Sequence, residues 1–406
     1  GVDLNRNYDF NWVFGADLYA VDGGASCNSS YFTDFDYFKG PSAFSELEIQ
    51  AIRDLALEEN FLTSIAYHSS RSGCLSEKVK YSWEWSGEKY PPDADILSKL
   101  GENIAGLIGK VSSGTYEPSF SGSFKGVAHN WFYARTGCFQ YLIEVGEGGE
   151  GMQPNEVENI NGIIHNNLKG AFYAMNRTAG INSGAFGAES YMVSGIVSDE
   201  LTNLPIENAE VKILELDGLV LTPRLTDEFG RYRRLLVDES YTLEVNAIGY
   251  ESKQISFTPS SSAIYELDIS LNPSQISDLN ISVTDVGNLS DNIIMIVNHQ
   301  NGLVDSIKLN IGSQVIEYPL GSYKVSVYAD GKIPQFFDLI LNQTDTELLI
   351  NLTYESVIYS FDFESNAGLF FEDGNWLIDD SKIKSQNDLK YSSDLNSTLK
   401  LSSPIS

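Results

Sequence analysis

The chain has 406 residues and a net charge of −30, from 56 acidic and 26 basic side chains. Hydrophobic residues make up 42% of it and charged residues 20%, a composition typical of folded globular proteins. Such an acidic chain lacks the cationic patch that nucleic acid or an anionic membrane needs, so neither is an expected partner. No apolar run is long enough to predict a transmembrane segment.

Residues 1–12 begin with a short alternation of apolar and polar side chains. Val2 and Leu4 alternate with polar neighbours, which predicts a half-buried strand. Asn5 and Arg6 follow at its end. The planar guanidinium of Arg6 and the amide of Asn5 form a suitable pair for holding a carboxylate. An ordinary polar transition from strand to loop is the alternative.

The following pattern predicts that residues 1–180 form an α/β domain. Its predicted elements are three helices at 45–57, 95–108 and 156–175, and two strands at 61–66 and 139–145. Ser45 and Glu48 predict a capping box at the start of the first helix.

Two chemistry-bearing residues lie at the ends of predicted strands. His68 follows the apolar run 61–67, at the carboxyl end where α/β sheets place ligand sites. A hydrogen-bonded surface histidine is the alternative. Glu144 closes the apolar run 139–145, where burial would raise its pKa toward the range of a general base. A glutamate at an exposed strand end is the alternative.

The remaining histidines and the cysteines give weaker indications. His129 is predicted in a loop, where it either lines a pocket or points to solvent. His165 is expected to be solvated on the long helix, and His299 to be structural in a β-strand. The three cysteines form no C-x-x-C pair, which makes a structural zinc knuckle unexpected and leaves their disulfide state open; they are Cys27, Cys74 and Cys138.

Beyond residue 185 the pattern changes to short alternating strands separated by turns. It predicts one all-β sandwich at 190–272 and a second at 276–354. The start of a third β unit is predicted at 357–406. The sequence shows no catalytic constellation in these β domains.

Five segments, taken in order, resemble the zinc carboxypeptidase family, peptidase M14 of the carboxypeptidase A/T type. They are GVDLNRN at 1–7, GPSAFSELE at 40–48, YHSS at 67–70, NWFY at 130–133 and IEVG at 143–146. Each segment is weak alone, but five in order are a specific signal. Residues 193–271 resemble the transthyretin-like, carboxypeptidase regulatory-like β-sandwich that follows many such enzymes.

The resemblance implies that the α/β domain has a mixed sheet flanked by helices, as in phosphorylase/hydrolase-like folds. It also implies a metallocarboxypeptidase that hydrolyses C-terminal peptide bonds with a zinc-activated water. It implies that His68 is a ligand of one Zn²⁺ ion and that Glu144 is the general base. Arg6, helped by Asn5, would hold the free C-terminal carboxylate of a peptide or protein substrate.

Two further site residues are implied by the same resemblance. His129 stands where the family places a specificity-pocket residue, and a histidine there predicts a pocket that does not favour Lys or Arg. Tyr116 is the candidate for the family's mobile active-site tyrosine, provided that its loop is rearranged.

The sequence also departs from the family pattern, because it contains no His-x-x-Glu. We therefore expect an N-terminally truncated fragment whose two other zinc ligands lie upstream of Gly1, and which is inactive as given. The alternative is a non-catalytic, secreted peptide- or glycan-binding protein on the same scaffold. Amidase action on peptidoglycan-type peptides is a third option. The acidic charge, the tandem β domains and the family predict an extracellular protein, whose β domains could associate with a cell surface or a secretion system.

Overall fold

The computed structural model describes most of the chain outside the third predicted β unit. The described residues are 1–15, 38–69, 77–85, 89–122, 125–146, 157–182, 189–216, 222, 224–285, 292–299, 302–342 and 346–353, together with the strand backbones at 370–372, 376–379, 382–385 and 399–401. Cys27 and Cys74 lie outside the described residues.

In its described residues, the first part of the chain forms four α-helices and one four-stranded sheet. The helices are α1 (Leu47–Glu59), α2 (Ala94–Leu107), α3 (Ala128–Thr136) and α4 (Val157–Ala179). The strands are β1 (Thr63–Ser69), β2 (Lys78–Tyr81), β3 (Glu117–Phe120) and β4 (Phe139–Val145). Their order is β1-β4-β2-β3, with β1–β4 and β2–β3 parallel and β2–β4 antiparallel. The predicted mixed sheet with helices is confirmed.

The predicted strand at the start of the chain is wrong. Leu4–Arg6 is a turn of 3-10 helix, and the Asp3 carboxylate accepts a hydrogen bond from the Asn5 N–H at 2.9 Å. An aspartate side chain that caps the backbone in this way favours a turn over an extended strand. The apolar–polar alternation is too short to outweigh this local contact.

The predicted capping box of Ser45 and Glu48 is also wrong. Helix α1 begins at Leu47, and its N-cap residue Glu46 makes no side-chain cap. The fully buried Asn7 acts instead: its amide oxygen accepts from the Glu46 N–H at 3.2 Å, and its amide nitrogen donates to the Ser45 hydroxyl at 3.0 Å. A side chain of the opening stretch therefore fixes the start of α1.

Strands alone make up the described secondary structure after α4. They are β5 (Met192–Asp199), β6 (Glu210–Ile213), β7 (Arg231–Leu235), β8 (Tyr241–Asn246), β9 (Lys253–Phe257), β10 (Tyr265–Glu266), β11 (Ile269–Leu271), β12 (Ile276–Asp285), β13 (Ile293–His299), β14 (Val304–Leu309), β15 (Gly312–Pro319), β16 (Gly321–Ala329), β17 (Gln335–Leu341), β18 (Thr346–Leu352), β19 (Phe370–Glu372), β20 (Trp376–Asp379), β21 (Lys382–Ser385) and β22 (Leu399–Leu401). Many β-strands follow the α/β part, as the sequence predicts.

These strands form several small sheets. The first two sheets have the strand orders β10-β5-β11, with β7 also paired to β5, and β6-β8-β9. The next two have the orders β15-β12-β18 and β14-β13-β16-β17. Two short two-stranded sheets, β19-β22 and β20-β21, come last. Within the described part of the chain, no helix combines the length and apolarity needed to cross a bilayer.

One hydrophobic core extends from the α/β sheet into the first β sheets. Ile96 and Tyr141 on the α/β side belong to the same buried cluster as Val193 and Leu243 on the β side. A separate core, which includes Met295, lies between the β15-β12-β18 and β14-β13-β16-β17 sheets. The first β sheets are therefore packed on the α/β part and are not held only by a linker.

A buried ionic cluster joins the same two parts. The fully buried Asp93 precedes α2, and its carboxylate accepts from the Tyr133 hydroxyl at 2.7 Å. The same carboxylate lies 3.0 Å from Arg224 and 3.3 Å from Arg234, both in the β-rich part. Burial alone would raise the pKa of Asp93, but the two guanidiniums hold it below its ordinary value.

Candidate active site

The sheet register places the two predicted catalytic residues side by side. His68 on β1 is paired with Glu144 on β4, and Glu144 is paired with Lys78 on β2. Because alternate residues of a strand share a face, Leu142 and Lys80, which are paired with each other, lie on the same face in the next row. The carboxyl ends of β1 and β4 therefore form one edge of a polar site.

Glu144 has the electrostatics of a proton-transfer group. Glu144 is 7% exposed, and burial raises the pKa of its carboxyl to about 7, although the charges of Lys80 and Arg6 oppose the shift. A carboxyl with a pKa near neutral pH can both accept and return a proton under physiological conditions.

His68 has a lowered pKa. Burial is the main cause, opposed by Asp3 and assisted by Arg6. Its imidazole is therefore neutral at neutral pH, which is the form that can bind a metal ion.

The turn that carries Asn5 and Arg6 is attached to the start of α3. The Asn5 amide oxygen accepts from the Ala128 N–H at 2.9 Å, and Arg6 Nη1 donates to the Asn5 carbonyl at 2.7 Å. Because this amide oxygen is already engaged, Asn5 can offer a ligand only its NH₂ group. Gly126 allows the close approach: its φ is +69°, and a Cβ there would lie 2.1 Å from the Arg6 carbonyl oxygen.

His129 lies in helix α3, so its predicted placement in a loop is wrong, as is the alternative that it points to solvent. It is 2% exposed, and neither ring nitrogen has a hydrogen-bond partner among the described residues. The Ser82 hydroxyl donates to the His129 carbonyl at 3.1 Å. Burial, followed by the nearby Lys80, lowers the pKa of the imidazole to about 3, so the ring is neutral.

Tyr116 is 3% exposed in the core shared with the helices, and its hydroxyl accepts from the Asn167 amide of α4 at 3.4 Å. It also interacts with the Gly146 backbone at the end of β4 and with Tyr67 on β1. Its role as a mobile active-site tyrosine stays a prediction. His165 is exposed on α4, and His299 is hydrogen-bonded in β13 to the Tyr318 hydroxyl at 2.9 Å, as predicted. Cys138 is a buried free thiol whose pKa burial raises to about 12.

Lys80 is the site residue that sequence reasoning missed. In the run Lys78–Tyr81, lysines alternate with Val79 and Tyr81, which are buried in the core of the opposite face. The period of two was a usable signal, because it places both lysines on one face of the strand. The partner strand β4 then places that face beside Glu144.

The described residues do not complete a zinc site. A catalytic zinc site commonly uses three protein ligands and one open position. No group of three His, Cys, Asp or Glu side chains able to hold a metal occurs among the described residues. The predicted ligand His68 lies among them, but no group of three such side chains forms around it there.

Replacing Glu144 by Gln is expected to stabilise the metal-free chain at pH 8 but not at pH 4. The ordinary carboxyl pKa is 4.5 and the folded value is about 7, so the folded state binds the proton more tightly and loses stability as the pH rises between these values. The gain at pH 8 should be about 3 kcal/mol, measured by urea unfolding. An equal difference at both pH values would contradict the raised pKa.

Replacing His129 by Leu is expected to reduce the acid sensitivity of the fold. The folded pKa of about 3 lies below the ordinary 6.5, so the unfolded state binds the proton first and stability falls as the pH drops below 6.5. At pH 5 the free energy of unfolding of the wild type should have fallen by about 2 kcal/mol through this histidine, and the variant should not show this decrease. Replacement of the exposed His165 by Leu is the control, and acid profiles that are identical in all three proteins would contradict the burial of a neutral ring.

Comparisons with known proteins agree with the sequence resemblance. Residues 1–170 match the family model described as zinc carboxypeptidase, and residues 192–284 match the carboxypeptidase regulatory-like domain. A carboxypeptidase B from Astacus astacus is 29% identical over 151 residues, which are 37% of this chain and 41% of that protein. The chain thus spans about two fifths of the length of this relative.

Two solved structures are also similar to parts of the chain. Carboxypeptidase A from Helicoverpa armigera is 22% identical with a TM-score of 0.31, over 44% of this chain and 41% of that one. Thrombin activatable fibrinolysis inhibitor is 19% identical with a TM-score of 0.32, over 42% of this chain and 40% of that one. The predicted resemblance rests on the two family models and is confirmed by them.

Proposed function

Because residues 1–170 match the zinc carboxypeptidase family, we propose that this site binds the C-terminal carboxylate of a peptide or protein and serves to remove its last residue. The observation that supports the proposal best is the convergence of His68, Glu144 and the Asn5–Arg6 turn at one edge of the sheet. Arg6 offers the carboxylate a planar pair of N–H donors, and Asn5 adds a neutral donor. An internal peptide bond has no carboxylate at this place, so the site selects chain ends.

In this proposal Glu144 is the general base. It accepts a proton from the attacking water and then delivers it to the amine of the departing residue. Its pKa of about 7 allows both transfers near neutral pH. His68 would be one ligand of the zinc that the family uses to activate water. Residues 1–406 contain no His-x-x-Glu, the motif that supplies the two other ligands in the family.

A second candidate function is binding without hydrolysis. It is favoured by the absence of a three-ligand cluster among the described residues. In that case the Arg6 and Asn5 pair would still hold a peptide terminus, while Glu144 would have no catalytic task. The scaffold would then serve a peptide- or glycan-binding protein.

Hydrolysis assays separate the two candidates. Residues 1–406 and the complete protein encoded by the gene are each incubated with Zn²⁺ and a peptide that has a free C-terminus. We expect the complete protein to release the terminal amino acid, a chelator to stop the release, and Glu144→Gln to abolish it. Normal release by Glu144→Gln would overturn the assignment of the base. Peptide binding by the complete protein without any release would favour the binding protein.

We further propose that the protein acts outside the cell and is organised as units at 1–180, 190–272, 276–354 and 357–406. The net charge of −30 and the successive small β sheets support this proposal. The β-rich units could then attach the site to a cell surface or a secretion system. Cell fractionation tests the location, and a protein found only in the cytosol would contradict it.

A further inference from the structure

The face of the sheet that carries Glu144 also carries a second cation. Lys80 on β2 is paired with Leu142, two residues before Glu144 on β4. Diagonal neighbours of this kind are about 7–8 Å apart, within reach of a long side chain. Lys80 is partly buried, and its charge acts on both Glu144 and His129. The ammonium group therefore belongs to the site formed by Glu144, His68 and Arg6.

His129 lies beside Lys80 and has hydrogen-bonding capacity that the described residues do not use. The Ser82 hydroxyl, two residues after Lys80 in the chain, donates to the His129 carbonyl at 3.1 Å. The ring is 2% exposed, and both of its nitrogens lack partners among the described residues. A buried polar group in this condition is costly unless a ligand or water satisfies it. The ring is thus placed to donate one N–H to a ligand that enters beside Lys80.

We propose that Lys80 and His129 form a subsite for a carboxylate side chain, so that the site prefers peptides whose last residue is Glu or Asp. The proposal rests on the proposed function, because Arg6 and Asn5 must first hold the terminal carboxylate. A dicarboxylic terminal residue would then place one carboxylate on Arg6 and the other on Lys80 and His129.

The preference follows from what each kind of terminal residue would do to Lys80. An apolar side chain would remove water from the ammonium group without supplying a counter-charge, which is unfavourable. A terminal Lys or Arg would add repulsion from Lys80 and Arg6. A carboxylate side chain supplies both a counter-charge and an acceptor for the His129 N–H.

A competing explanation is that Lys80 serves only Glu144. Its charge lowers the pKa of that carboxyl, and the Glu144 charge raises that of Lys80. If this were its whole role, replacing Lys80 would affect all substrates equally. If replacing Lys80 weakens binding only of peptides with an acidic last residue, Lys80 forms a subsite and is not merely an electrostatic partner of Glu144.

The test is calorimetric titration of residues 1–406 with three peptides that differ only in the last residue, which is Glu, Gln or Leu. We expect the Glu peptide to bind about tenfold more tightly than the Gln peptide, a difference of about 1.4 kcal/mol. Lys80→Met should abolish this difference and should favour the Leu peptide. Lys110→Met is the control for removal of one cation, because Lys110 lies outside β2 and β4 and pairs with Glu117 at 2.7 Å, and it should keep the Glu preference.

The role of His129 has its own variants. His129→Leu is expected to reduce the Glu preference, and His129→Gln, which keeps an N–H donor, to restore part of it. A preference for Glu that is unchanged in His129→Leu would remove His129 from the subsite.

The outcomes also separate this proposal from the proposed function. Equal affinity for the Glu and Gln peptides would overturn the subsite. An equal loss of affinity for the Glu, Gln and Leu peptides in Lys80→Met would overturn it as well. If binding still required a free C-terminus, the carboxylate clamp would stand in either case. If the C-terminal amides bound as tightly as the acids, the proposed function itself would fail.

Discussion

Replacing Asp93 by Ala is expected to destabilise the chain by about 3–5 kcal/mol, the range for breaking a buried ion pair. The variant would keep Arg234, which is 3% exposed. Its guanidinium would stay buried but would lose the Asp93 carboxylate, which lies 3.3 Å away in the wild type. Arg224 and the Tyr133 hydroxyl would lose the same partner. The measurement is equilibrium unfolding in urea, followed by both fluorescence and circular dichroism.

The exposed pair of Asp338 and Lys324 provides the matched control. These side chains lie 2.9 Å apart and are both 82% exposed, and exposed pairs contribute about 0–1 kcal/mol. Asp338→Ala should therefore change stability little. A similar small effect for Asp93→Ala would contradict the idea that the buried cluster holds the α/β part against the β sheets.

The cluster also predicts how the two parts unfold. Because they share a core and the Asp93 contacts, the wild type should unfold them in one transition. In Asp93→Ala the β-rich strands and the α/β sheet should separate into two transitions, which the two probes would report at different urea concentrations. Such a result would give the regulatory-like β region a structural role in stabilising the site.

The second large effect is expected at the proposed carboxylate clamp. Arg6→Gln should weaken the binding of a peptide with a free C-terminus by about 2–5 kcal/mol, because it leaves a desolvated carboxylate without its charged partner. Arg6→Lys should recover only part of the loss, since an ammonium cannot form the planar two-bond pair. Calorimetric titration measures both variants.

Arg53 on α1 supplies the control for charge alone. Its side chain is 31% exposed and pairs with the neighbouring Asp54 at 2.7 Å, outside the site. Arg53→Gln should leave peptide binding unchanged. Equal losses for Arg6→Gln and Arg53→Gln would show that net charge, and not the clamp, determines affinity.

Much of the site could be predicted because it depends on strand ends. The apolar run before Glu144 forms the buried strand β4, and the run before His68 forms β1. Buried strands of this kind follow from local composition. That the two ends would meet was implied by the resemblance, and the parallel register now pairs the residues directly.

The errors arose where long-range contacts decide the local structure. The prediction of a loop at His129 is wrong because helix α3 starts there, with the Asn5 amide oxygen, distant in the sequence, accepting from the Ala128 N–H. Lys80 was overlooked because its importance depends on the pairing of β2 with β4. The alternation of lysines with Val79 and Tyr81 indicates that Lys80 shares a face with Lys78, but it does not indicate which strand pairs with β2.

The central claim, that the Asn5–Arg6 turn holds a C-terminal carboxylate, is tested most directly by one pair of titrations. Residues 1–406 are titrated with a peptide that has a free C-terminus and with the same peptide as its C-terminal amide. We expect the amide to bind at least about tenfold more weakly, and the difference to vanish in Arg6→Gln. Equal affinity of the acid and the amide for the wild type would contradict the claim.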